Sequence, residues 1–298
     1  MYIKINNEGV KKALVSISIM VIIIASTSTV VVVSLVPLSS VEGDRENNNP
    51  LGFKSIKKFD SDGKFITSWG SEGTGNGQFL HAHGIDIDSS DNVYVSDDDK
   101  NSIQKFDSDG KFITSWGSEG TGNGQFHRPW GVAVDSSGNV YTTETDGKRI
   151  QKFDSDGNFI TKWGSEGTGN GQYLHLHDVN VDVSGNLYVT DEKNFKVEKL
   201  TSDGNFIAKW GSEGCNDGQF REHHGIDFDS VGNVYIVDTQ NERIQKFDSD
   251  GNFIAKWGSE GYGDGQFWLP HDIAIDSSDN VYVTDSGNVH EKQDNCTI

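Results

Sequence analysis

Residues Ile103–Glu144 read IQKFDSDGKFITSWGSEGTGNGQFHRPWGVAVDSSGNVYTTE. Four short runs in this stretch are rich in Val, Ile, Phe, Tyr, Thr and Trp: IQKF, KFITSW, GVAV and NVYTT. Asp107–Gly110 separates the first two and Asp135–Gly138 the last two. Both are tight-turn sequences, so the runs pair as antiparallel hairpins. The Gly-rich GSEGTGNGQF between the hairpins is a longer connection. Nearly the same text surrounds Trp69, Trp116, Trp163, Trp210 and Trp257, each 47 residues after the last. A period of this length marks one small unit copied in tandem. Four strands per unit, with no segment that combines helical apolar spacing and caps, is the pattern of an all-β fold, the β-propeller.

The Trp-Asp dipeptides of WD40 repeats and the Gly-Gly pairs of kelch repeats are absent. Gly117 to Phe126 reads G-x-x-G-x-x-x-G-Q-F, Pro129 to Asp135 reads P-x-G-V-A-V-D, and Ser137 to Tyr141 reads S-G-N-V-Y. Arg149 to Gly157 reads R-I-Q-K-F-D-S-D-G. Together these segments resemble the NHL repeat, over roughly residues 54–290. The resemblance implies a propeller whose GVAV strand lines the central axis and whose FITSW strand lies outermost. It implies no activity, because propellers host many functions.

Outer hairpins (IQKF plus FITSW) start near Ser55, Ser102, Arg149, Lys196 and Arg243, and inner hairpins at Gly84, Gly131, Asp178, Gly225 and Asp272. The repeats therefore begin with an outer hairpin and end with an inner one. Pairing the two predicts five blades closed by the N- and C-terminal hairpins, with no open edge. The alternative is the six-position ring usual for NHL propellers.

The chain has 298 residues and a net charge of −20. A surface this acidic repels nucleic acid and anionic lipid heads. Residues 13–38 carry no charge and follow Lys4, Lys11 and Lys12. That span exceeds the roughly 20 residues that cross a bilayer as a helix. The reading is a cytoplasmic segment 1–12, a transmembrane signal-anchor helix 13–38, a polar linker 39–53, a propeller 54–285 outside the cell and a tail 286–298. A cleaved signal peptide and a secreted propeller are the alternative. Cys215 and Cys296 would be free to pair in that compartment.

The DSDG turns resemble the start of a calcium loop but lack its further oxygen ligands and bidentate Glu, so backbone chemistry accounts for them. Asp97, Glu144, Asp191, Asp238 and Asp285 end the second inner strand of each unit, where a side-chain-to-backbone role is expected. The residue opening the innermost strand is the informative one: His83, Trp130, His177, His224 and His271. The three residues upstream also vary, as LHA, HRP, LHL, REH and WLP, while the scaffold is nearly constant. Four imidazoles thus face one channel mouth, and imidazole ligates zinc and related divalent metals. Pro270-His271-Asp272-Ile273-Ala274 and His83-Gly84 resemble channel segments of peptidyl-α-hydroxyglycine α-amidating lyases, which hold zinc through such histidines. That resemblance implies a possible zinc site at His83, His177, His224 and His271, or a metal-dependent lyase.

Two functions follow as expectations. One is a non-enzymatic, membrane-tethered binding module for a protein, peptide or glycan, with Arg128, Trp130, Arg221, His223 and Trp268 on its binding face. The other is a zinc-dependent enzyme of lyase type.

Overall fold

A computed structural model describes the backbone of residues 17–24 and 30–37, and residues 55–59 and 64–285 with their side chains. The first sheet holds β1 (Ile17–Ile24), β2 (Val30–Pro37), β3 (Ile56–Phe59) and β4 (Phe65–Trp69). The second holds β5 (Ala82–Ile87), β6 (Val93–Asp97), β7 (Ser102–Phe106) and β8 (Phe112–Trp116). The third holds β9 (Pro129–Val134), β10 (Val140–Glu144), β11 (Arg149–Phe153) and β12 (Phe159–Trp163). Short parallel strands β13 (Ser165–Glu166) and β14 (Gln172–Tyr173) brace the connection to the fourth sheet. The fourth is β15 (Leu176–Val181), β16 (Leu187–Asp191), β17 (Lys196–Leu200) and β18 (Phe206–Trp210). The fifth is β19 (His223–Phe228), β20 (Val234–Asp238), β21 (Arg243–Phe247) and β22 (Phe253–Trp257). The sixth has two strands, β23 (Pro270–Ile275) and β24 (Val281–Asp285).

The all-β propeller read from the repeats is the fold. Its closure differs from the five-blade expectation. β3 pairs with β2, with Val32 opposite Lys58, and among the described residues β24 pairs with β23 alone. The ring has six positions. Within the span 13–38 expected as a single helix, the described residues Ile17–Ile24 and Val30–Pro37 are antiparallel strands, and 13–16, 25–29 and 38 lie outside the described residues. Both runs are dominated by Val and Ile, whose branched Cβ favours extended backbone. No helix among the described residues is long and apolar enough to cross a membrane. Segments 1–12 and 39–53 and the tail 286–298 lie outside the described residues.

The core is a series of layers between successive sheets. Ile56 and half-buried Trp69 of the first blade pack with Phe79, Val93, Val95 and Phe106 of the second, and equivalent clusters recur around the ring. Two repeated contacts lock blade to blade. Lys58, Lys105, Lys152 and Lys199 each donate to the next blade's turn, at the carbonyls of Ser108, Ser155, Ser202 and Ser249, over 2.8–3.1 Å. The glycine closing each of those turns lies flat on the preceding tryptophan. Gly110, at φ +80°, sits where a Cβ would run into the Trp69 ring, and Gly157, Gly204 and Gly251 do the same to Trp116, Trp163 and Trp210. The aspartates of the DSDG turns cap their own backbone, as Asp107 Oδ1 does for the N–H groups of Asp109 and Lys111. Cys215 is disulfide-bonded, and Cys296 is the only other cysteine of the chain.

Candidate functional site

The first strand of each of the second to sixth sheets carries a β-bulge at its start. Ala82 pairs with Asp97 and Ile85 with Val95, so His83 and Gly84 together oppose Ser96. Trp130–Gly131, His177–Asp178, His224–Gly225 and His271–Asp272 oppose Thr143, Thr190, Val237 and Thr284 in the same way. A bulge re-aims a side chain without ending the sheet. Here the facing hydroxyl holds the extra amide: Ser96 Oγ accepts from Gly84 N (2.7 Å), Thr143 Oγ1 from Gly131 N (2.9 Å) and Thr284 Oγ1 from Asp272 N (2.8 Å). Ser96 and Thr143 then donate to the carbonyls of Trp130 and His177 on the next blade.

The bulges bring all five sequence-predicted side chains to one end of the channel. His177 and His224 stack at 4.2 Å between ring centroids, and His271 lies 4.5 Å from His224 and 5.3 Å from His177. One ring nitrogen from each of these three lies within 4.8 Å of the others. His83 stands apart, 6.1 Å from His177, and packs on Trp130 at 3.5 Å. Burial drives the His83 and His177 pKa values well below the ordinary range, and brings His271 to about 3. These imidazoles are neutral at pH 7. His177 is 5% exposed, and its Nδ1 is buried without a hydrogen-bond partner. That orphaned nitrogen beside the imidazoles of His224 and His271 fits a divalent metal. Modest ring rotation would bring the nitrogens to the separation of about 3.3 Å found around tetrahedral zinc.

Glu192 borders this cluster and was not among the sequence candidates. Its Oε2 lies 2.8 Å from His175 Nδ1 and 3.8 Å from His224 Nε2. Burial alone would raise its pKa, but the two histidines outweigh it and hold the carboxyl far below its ordinary range. Thr239 Oγ1 lies 3.2 Å from His224 Nδ1. The repeat places Asp98, Thr145, Glu192 and Thr239 at one position after the strand-ending carboxylate, and this variation was the available signal. At that same position Asp98 pairs with His81 at 2.6 Å and with Arg128 at 3.3 Å.

Of the predicted binding face, Arg128 is half-buried and lies over the Trp130 ring at 5.4 Å. Trp268 stacks on Tyr262 at 5.1 Å, and Tyr262 is 70% exposed. The half-buried Arg221 has its backbone N–H on Asp238. His223 is a correction, because it is fully buried. As the residue before the bulge it points into the blade, stacks on Phe220 at 4.6 Å and meets the Lys196 carbonyl through Nε2. Burial lowers its pKa to about 4. The strand-ending carboxylates hold backbone, as expected: Asp97 accepts from Leu80 and His81, and Glu144 from His127.

Below the imidazoles the channel widens into a cavity of about 710 Å³ that is lined by carboxylates. Asp178 and Asp272 form an upper tier, and Asp86, Asn180 and Asp227 a lower one. Asp86 accepts from Ile87 and from Val134 of the next blade, and Asp227 from Phe228 and Ile275. Burial raises Asp86 and Asp227 to about 7 and Asp272 to about 6. Burial, and then the charge of Asp272, raises Asp178 as well.

Comparison with known proteins places this geometry. The NHL repeat family matches residues 126–153, and a family described as a 6-bladed beta-propeller matches residues 56–115 and 216–290. The chain is an NHL-repeat β-propeller. Among solved structures, it is similar to a catalytically inactive histidine-to-alanine form of virginiamycin B lyase from Staphylococcus aureus with quinupristin. That similarity has a TM-score of 0.62 at 15% identity and covers 93% of this chain and 80% of that one. A streptogramin B lyase is similar with a TM-score of 0.58 at 14% identity, covering 91% of this chain and 95% of that one. A protein of unknown function from Bacteroides caccae gives 0.57 at 11% identity, covering 82% and 94%. At these identities the likeness shows the fold alone. No curated protein matches the chain.

Proposed function

We propose that the protein is an exported, membrane-tethered binding module that presents its channel mouth to a protein, peptide or glycan, with one divalent metal at His177, His224 and His271. The observation that carries this reading is the three imidazoles with ring nitrogens within 4.8 Å of one another and His177 Nδ1 buried without a partner. Trp130 and Arg128 flank them as contact residues of the kind that dominates binding hot spots. The apolar span 13–38 behind Lys4, Lys11 and Lys12, and the net charge of −20, support export and argue against nucleic acid as a partner. Metal content of the purified protein, and titration of zinc into metal-free protein, test the site. Near-stoichiometric binding with a raised melting temperature is expected. Metal-free protein that shows no shift with zinc would refute it.

A lyase is the second reading, favoured by Glu192 set between His175 and His224. A lyase of this fold is inactive as a histidine-to-alanine form. A bound metal would supply Lewis acidity, while Glu192 orients His224 and His175. Loss of quinupristin on incubation with zinc- or magnesium-loaded protein, followed by mass spectrometry, would favour this reading; unchanged quinupristin leaves the binding module.

A further inference from the structure

The fourth blade departs from its neighbours beside one glycine. In the second, third and fifth blades a third-strand glutamine accepts the backbone N–H of a glycine in the preceding connection. Gln104 holds Gly77, Gln151 holds Gly124 and Gln245 holds Gly218, over 2.9–3.0 Å. In the fourth blade the residue is the fully buried Glu198 of β17, and Gly171 N stands 3.2 Å from both carboxylate oxygens. Lys196 Nζ, 3.1 Å from Glu198 Oε1, fixes the carboxylate there. The packing differs too. Phe106 and Phe153 come within 3.9 and 4.0 Å of the place a Cβ would take on Gly77 and Gly124. Leu200 replaces that phenylalanine in the fourth blade, and nothing lies within 4 Å of the same place on Gly171.

Gly171 follows Asn170, and an Asn-Gly pair has a chemistry of its own. No side chain shields the glycine nitrogen, which can attack the asparagine side-chain carbonyl carbon and close a five-membered succinimide. The text Thr-Gly-Asn-Gly-Gln occurs three times, at 74–78, 121–125 and 168–172. Asn76, Asn123 and Asn170 are all exposed. Local sequence does not rank the three, so any ranking comes from the fold.

We propose that Asn170 is a site of self-deamidation, with Glu198 as its general base. Glu198 takes the Gly171 amide proton while that nitrogen bonds to Asn170 Cγ. The Cγ–Nδ2 bond then breaks, the proton passes to the departing nitrogen, and ammonia leaves. Solvent water opens the succinimide to aspartate or isoaspartate. A general base must lie within about 2.6–3.2 Å of the atom that gives up the proton, and Glu198 does. The N–H lies in the peptide plane and the attack comes from above that plane, so the hydrogen bond does not block it. Gln104 and Gln151 hold the matching N–H groups through a neutral amide oxygen, which is no base at neutral pH. Asn76 and Asn123 are therefore slow. The connections already accommodate the product, since Asp217 and Asp264 stand at this position in the last two. Asp217 pairs there with Lys256 of the outermost strand at 2.5 Å, and Lys209 is the matching lysine for Asn170. The reaction adds one negative charge to the fourth blade's connection, and it is independent of the metal.

Peptide mapping by mass spectrometry of the full chain, aged at neutral pH, reads the three sites side by side, each as a gain of about one mass unit. Asn170 should convert severalfold faster than Asn76 and Asn123. Glu198→Gln restores the residue of the other blades. It should bring Asn170 down to the rate of the other two and leave theirs unchanged, which also reports that the variant is folded. Should Glu198→Gln unfold the protein, Leu200→Phe, which fills the space beside Gly171 and keeps the carboxylate, should slow Asn170 in its place. In guanidinium chloride the three sites should convert equally, because their local sequences are identical. Equal rates in the native protein, or an Asn170 rate indifferent to the substitution in a folded variant, would overturn the proposal.

Discussion

The two ends of the central channel are built on the same inner strands and have opposite chemistry. The mouth gathers Trp130 with His83, His177, His224 and His271, and burial keeps His83, His177 and His271 neutral. Below it lie Asp86, Asp178, Asp227 and Asp272, acids that burial inclines toward the protonated form. At the mouth the extra amides of the bulges at Gly84, Gly131, Asp178 and Asp272 are held by the facing hydroxyls, so they do not need the side chains that open those strands. The mouth gathers nitrogens with a lone pair to donate. The lower tier spends its carboxylate oxygens on neighbouring amides, stitching Asp86 to Val134 and Asp227 to Ile275. One end is equipped for a ligand and the other for cohesion.

Four measurements would break or sharpen this contrast. The largest effect is expected at the mouth: replacing His177 and His224 together with Ala should reduce zinc binding to background by calorimetry. His81→Ala, at the separate cluster with Asp98, should leave it intact. Glu192→Gln should come next, weakening zinc affinity by about 10–100-fold, the usual effect of removing a group that orients a ligating imidazole. The third concerns pH. The folded pKa values of His271 and His223 lie below the unfolded value near 6.5, so the unfolded chain takes those protons first. Stability should therefore fall as pH drops from about 6.5 toward 4 and 3, the folded values of His223 and His271. The folded pKa values of Asp86 and Asp227 lie above 3.8, so their contribution is present below 3.8 and is lost as pH rises through about 7. The two windows overlap between about pH 4 and 6.5, where the opposed contributions partly cancel, so the aspartate contribution is read most cleanly above about 6.5 and that of His271 below about 4. Replacing Asp86 and Asp227 with Asn should shrink the stability difference between pH 5 and pH 8 by about 1–3 kcal/mol, and an unchanged profile would show that the lower tier is not the source. Smallest, Trp130→Ala should cost about 1 kcal/mol in chemical denaturation, through the lost stack on His83.

The repeat made most of the fold legible. Turn sequences and alternating strands recur in register, and the structure-bearing roles of the DSDG turns and of Asp97 and Glu144 follow from backbone chemistry alone. The first sheet was less legible, because β1 and β2 lie outside the repeat and an uncharged run of Val and Ile suits both a membrane helix and a pair of strands. The histidines were found because they vary where the scaffold does not. One reading failed for a geometric reason. His223 is adjacent to His224, but the bulge begins one residue later and sends the two side chains to opposite sides of the strand. Asp86 and Asp227 were not among the sequence candidates, since the burial that sets them apart comes from neighbouring blades.

The bulge at each inner strand separates two tasks that most positions in a sheet must combine. Opposite one residue stand two, and in four of the five bulges that residue's hydroxyl holds the second one's amide, so the strand keeps its register whatever side chain the first carries. His, Trp and His follow one another at 83, 130 and 177 with the same hydroxyl contact beneath. The channel mouth is in effect a set of independently addressable sockets, which substitution can re-letter one at a time while the ring that holds them stays fixed.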